Sequence, residues 1–133
     1  MSAELQMVLR LLLATGLGAA IGYQRERYGK PAGLRTHMLI CIGAALFTIA
    51  SIHGFGIGAD PARVAAGIVA GIGFLGAGAI IRRGEGIIAG LTAAATIWAV
   101  AAVGIAAGAG LYLISGVTTA VILGVLFLPH PIR

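Results

Sequence analysis

Hydrophobic positions in this chain fall in long unbroken runs, without the apolar stripe of a surface helix or the alternation of a half-buried strand. Five runs stand between charged, proline-marked or glycine-rich breaks, at about 3–23, 36–52, 61–81, 87–106 and 111–128. Crossing a bilayer takes about 20 mostly apolar residues, so each run predicts a transmembrane helix. Asp60 is a good N-cap and Pro61 suits a first helical turn, which fixes where the third helix begins. Gly108 and Gly110 divide a stretch otherwise long enough for two crossings, and Pro129 and Pro131 stop the last helix. A membrane barrel would need many segments alternating between apolar and polar residues, and these runs are continuously apolar.

Composition points the same way. Of 133 residues, 59% are hydrophobic and 10% charged, where a soluble domain carries about a quarter charged residues. The mean hydropathy is +1.05. The expected fold is therefore an all-α integral membrane bundle of five helices forming one domain over 1–133, with lipid as part of its solvent. A cleaved signal is the competing reading of the start, but Leu11 to Ile21 is followed by Arg25, Glu26 and Arg27 and then by further spans.

The net charge of +5 does not imply nucleic acid, because the cations sit where membrane topology places them. Arg25, Arg27, Lys30 and Arg35 follow the first helix, Arg82 and Arg83 follow the third, and Arg133 lies in the tail. With five crossings all of these share one side, while Glu4, Asp60 and Arg63 lie on the other. The positive-inside bias then predicts an external N-terminus and a cytoplasmic C-terminus.

Membrane helices associate by close van der Waals packing, which small residues permit. Gly18 and Gly22, Gly67 and Gly71, and Gly104 and Gly108 are each four apart, and Gly116, Ala120 and Gly124 continue the pattern. These predict packing within a compact bundle or, alternatively, a dimer seam; a homodimer is expected. Gly71, Gly73 and Gly76 also spell a dinucleotide-binding pattern, which needs a preceding strand and an acidic residue about 20 positions later; these glycines sit inside an apolar run and no Asp or Glu follows Glu85. The run Gly71 to Gly78 is glycine-dense enough to kink, and broken helices are where transporters expose backbone to substrate.

Few polar groups remain. Arg10 lies about 10 Å into the first helix, with Asp60 as the candidate for an intramembrane ion pair; otherwise Arg10 snorkels and Asp60 only caps. The linker cations serve orientation and anionic lipid heads, or with Arg82 and Arg83 form a basic cup for a phosphate, with Glu26 pairing one of the arginines. His37, His53 and His130 share no ligand spacing. Magnesium is the one metal to consider, through Asp60. Thr92, Thr96, Thr118 and Thr119 can bond one turn back along their helices. Cys41 is a lone apolar-run cysteine, and no catalytic grouping presents itself, so no enzyme is expected.

Several motifs in order carry a resemblance over nearly the whole chain: GYQRER at Gly22 to Arg27, KPAGLRTH at Lys30 to His37, DPARVAA at Asp60 to Ala66, GIGFLGAGAI at Gly71 to Ile80 and GLTAAATIW at Gly90 to Trp98. Together they resemble the MgtC/SapB family, departing at Gln24, where glutamate is frequent, and at Ala93, where threonine is usual. The resemblance implies a bacterial inner-membrane protein linked to magnesium limitation, acid stress and survival of pathogens in macrophages. Larger members add a soluble C-terminal domain, so this chain is expected to correspond to the membrane half alone. The resemblance implies a regulator of other membrane systems, the proton-translocating ATP synthase among them; the alternative is a carrier or channel for magnesium or a small ion. The motif residues it marks are Arg25, Glu26, Arg35, Thr36, Asp60 and Arg63.

Overall fold

The structure, a computed structural model, describes residues 2–83 and 87–128. Five helices follow one another: α1 (Ala3–Arg27), α2 (Leu34–His53), α3 (Pro61–Ala79), α4 (Leu91–Gly108) and α5 (Tyr112–Leu126). Between α3 and α4 the chain forms a short antiparallel ribbon, β1 (Ile81–Arg83) with β2 (Ile87–Ala89), in which Arg82 pairs with Ile88. Four of the helices are long and apolar enough to cross a membrane; α5 is apolar but has 15 residues.

The boundaries differ from expectation in two instructive ways. Helix α1 continues to Arg27 instead of ending near 23, so Arg25 and Arg27 belong to its last turn, where cations complement the helix dipole. Helices α3 and α4 lose the turns expected at 80–81 and 87–90 to the ribbon, because apolar periodicity alone cannot tell a short strand from a helix end. Gly90, at φ 92°, makes the turn from ribbon into α4, and a Cβ there would collide with the Ala79 carbonyl oxygen. The expected tail features Pro129, His130, Pro131 and Arg133, with Glu85, lie outside the described residues.

Side-chain contacts fix how the helices run. Gly18 lies against His37 and Cys41 while Gly22 lies against Leu34, so α1 and α2 are antiparallel. Gly104 approaches Cys41 and Gly108 approaches Ala45, so α4 runs parallel to α2. Ser51 Oγ donates to the Pro61 carbonyl at 3.0 Å, tying the end of α2 to the start of α3. Arg10 meets Tyr112 at one end of α5, and the Tyr28 and Phe127 rings stack edge-on at 5.8 Å at the other. The five helices therefore alternate in direction. One end of the bundle gathers the α1–α2 linker and the ribbon, and the other gathers the α2–α3 linker and the α4–α5 turn.

The core is formed by α1, α2 and α4, with Ile21, Cys41, Ala45, Val100, Val103 and Ala107 fully or almost fully buried. Close approach at Gly18, Gly22, Gly104 and Gly108 makes this possible, since an added Cβ would fall within 3 Å of the neighbouring helix at each. The packing expected of Gly67, Gly71, Gly73 and Gly78 is not formed within the chain: a Cβ at any of them meets nothing within 4 Å. Helix α3 lies at the periphery and buries only Ile72, so its small residues border open space.

Candidate functional site

At the linker end, α2 begins at Gly33, which has no side chain to cap it. Glu26 does so from α1, its Oε1 accepting from the Leu34 amide at 3.2 Å. Glu26 was expected to pair with an arginine; the exposed amides at the start of α2 claim it instead. Arg25, read from sequence as one of the linker cations serving orientation and lipid heads or, alternatively, a basic cup, does neither in the open. It is 3% exposed, and its Nη2 donates to the Pro31 carbonyl at 3.1 Å, closing the linker over the helix end. Arg27, Lys30, Arg35 and Thr36 are exposed around it.

Gln24, one of the two departures from the family pattern, and His37, for which the sequence offered no ligand spacing, are buried beside Arg25. His37 is fully buried and its Nδ1 lies 2.9 Å from the Gly33 carbonyl, so Nδ1 carries the proton and Nε2 is left as an acceptor. Among the described residues, no hydrogen bond engages the buried atoms Gln24 Oε1, Arg25 Nε and His37 Nε2. The position of this cluster was present in the sequence: Gly18, Gly22 and Arg25 share one face of α1, and His37 and Cys41 share the facing stripe of α2.

At the opposite end, Asp60 caps α3, its Oδ1 accepting from the Ala62 amide at 3.0 Å. Arg10 is not brought to it. Arg10 Nη1 donates to the Gly108 carbonyl at 3.1 Å and Nε to the Tyr112 hydroxyl at 3.3 Å. The guanidinium thus meets the Gly108 carbonyl, while the carbonyls of Ile105, Ala106 and Ala107 accept from the amides of the α4–α5 turn. Among the described residues no ion pair joins Arg10 to Asp60. Asp60 and Arg63 line a recess with Ser51, and Val64 borders both this recess and an apolar groove between α2 and α3. No group of three or more His, Cys, Asp or Glu side chains gathers among the described residues. Asp60 therefore stands as a single carboxylate, fewer oxygens than a magnesium site of protein ligands uses.

The threonines behave as local helix residues. Thr96 donates to the Thr92 carbonyl at 2.7 Å and Thr119 to that of Ser115 at 2.8 Å. Cys41 is buried at the α1–α2–α4 junction.

Comparison with known proteins covers most of the chain. A family model described as the MgtC family matches residues 11–133. The putative magnesium transporter YhiD of Escherichia coli K12 is 49% identical over 119 residues, covering 84% of this chain and 54% of that protein. Protein MgtC of Brucella abortus is 47% identical over 116 residues (87% and 48%), and protein SapB of Bacillus subtilis 42% over 113 (80% and 49%). The chain thus spans about half the length of these relatives, and no solved structure matches it. With four helices able to cross a bilayer and this match over nearly its whole length, the chain is a multi-pass membrane protein and belongs to the MgtC family.

Proposed function

We propose that this protein is a regulator in the bacterial inner membrane, acting in the response to magnesium limitation or acid stress through contacts of its helices with a second copy or another membrane protein. The observation that carries this reading is the composition of the bundle interior. The buried polar side chains among the described residues are Gln24, Arg25, His37, Thr48, Ser51, Thr96, Ser115 and Thr119, and none is a carboxylate. A path for a divalent cation uses several oxygen ligands, and ion-coupled carriers place carboxylates inside the membrane. The groove beside α3 is lined instead by leucine, isoleucine, valine, phenylalanine, alanine and glycine.

The linker and ribbon end, with Arg25, Arg27, Lys30 and Arg35, faces the cytoplasm in this reading, and the Asp60 end faces outward. In this reading α5, with the apolar residues that flank its 15, makes the fifth crossing, running from the level of Arg10 to that of Tyr28. A relative's name, putative magnesium transporter, favours the second reading, in which Asp60 lies on an ion path. Asp60→Asn separates them, because asparagine caps a helix about as well as aspartate. In a strain lacking the gene, the regulator reading predicts that the variant restores growth in low magnesium as the wild type does. Loss of growth with folded protein in the membrane would move the account to a path at Asp60.

A further inference from the structure

We propose that the groove between α2 and α3 holds one phospholipid with an aminoalkyl phosphate head, its charges met by Asp60 and Arg63 and one acyl chain lying along α3. The groove and a smaller recess adjoin at Val64: on α2, Gly43, Phe47 and Ser51 step along one face at intervals of four, and Val64 borders both the apolar groove, about 620 Å³, and the recess holding Asp60 and Arg63, about 440 Å³. The depth of the groove arises from glycine: a Cβ at Gly67 or Gly71 would meet no protein atom within 4 Å.

Shape and charge select the occupant. The apolar part runs from Val64 to Leu75, about 16 Å along the helix at 1.5 Å per residue. That is half of a hydrocarbon core about 30 Å thick, the depth of one leaflet and hence of one acyl chain, whereas a helix of a second protein would cross the full thickness. The charges sit only at the membrane-surface end, as they do in an amphiphile. Arg63 is exposed and no side-chain hydrogen bond engages it among the described residues, so its fork is available to phosphate oxygens. Asp60 uses Oδ1 for its cap, which leaves Oδ2 to receive an ammonium. A head with a phosphate and a primary amine matches this pair, while a head without the amine leaves the carboxylate facing a phosphate.

The test is native mass spectrometry of the purified protein in detergent, titrated with phosphatidylethanolamine or phosphatidylglycerol. The wild type is expected to retain one phosphatidylethanolamine per chain, with about tenfold preference over phosphatidylglycerol. Gly71→Leu adds a side chain to the groove at a position where a Cβ meets nothing within 4 Å and is expected to lower retention about tenfold, with an unchanged melting temperature in lipid-free detergent. Asp60→Asn is expected to abolish the preference between heads. Should Gly71→Leu fail to fold, Gly67→Leu is read in its place. Equal retention of the two lipids by the wild type, retention unaffected by the groove-filling variant, or a dimer that this variant dissociates would each overturn the proposal.

Discussion

Replacing Gly104 by alanine tests whether helix contact in this bundle depends on missing side chains. A Cβ at Gly104 would stand 2.5 Å from the Cys41 carbonyl oxygen and 2.8 Å from Ala44 Cβ, where carbon contacts settle at about 3.5–4.0 Å. Helices α2 and α4 must then part by about 1 Å, and overpacking of this kind costs about 1–3 kcal/mol. Opposing it is the gain from replacing glycine in a helix, about 1 kcal/mol. Gly71→Ala makes the same chemical change where nothing lies within 4 Å, so it carries the propensity gain without the clash. The propensity contribution cancels between the two variants, and Gly104→Ala is expected to be about 1–3 kcal/mol less stable than Gly71→Ala. Unfolding in mixed micelles of increasing denaturing detergent, followed by circular dichroism, measures the difference. Equal midpoints for the two variants would refute the close contact of α2 with α4.

Other outcomes follow from single contacts. Arg10→Gln removes a charged donor from the Gly108 carbonyl and is expected to cost about 1.5–3 kcal/mol in the same unfolding assay, whereas Tyr112→Phe, which loses one contact at 3.3 Å, costs about 0.5–1.5 kcal/mol. Glu26→Ala uncaps α2 and is expected to lose about 0.5–2 kcal/mol, with Glu26→Gln retaining most of it because the amide oxygen still accepts. Cys41 is fully buried, so a small membrane-permeant maleimide is expected to label it only as the bundle unfolds, at the midpoint seen by circular dichroism.

The sequence was most legible where a single physical requirement dominated. Apolar length located all five helices, and Asp60 with Pro61 placed the start of α3 on the observed residue. The glycine pairs of α1 and α4 pack as their spacing predicts, while those of α3 do not: spacing marks which face is smooth, and only the tertiary arrangement decides whether another helix covers it. The charged residues were least legible. Arg10 and Asp60 have opposite charge, but Arg10 lies within α1 and donates to the Gly108 carbonyl at the end of α4, while Asp60 caps the start of α3. Glu26 likewise goes to backbone amides before any arginine. In both cases the partner is a helix terminus, whose position depends on how the helices assemble. The burial of His37 and Gln24 was not legible because they lie beside charged, linker-like sequence, and for Gln24 it came from α1 continuing a full turn beyond its apolar run.

Magnesium flux separates a bundle that regulates from one that conducts. The purified, folded protein would be reconstituted into liposomes enclosing a magnesium-sensitive dye, beside Asp60→Asn and protein-free liposomes. The account predicts entry no faster than in empty liposomes for either protein. Saturable entry with the wild type that is lost in Asp60→Asn would contradict it and place Asp60 on a transport path.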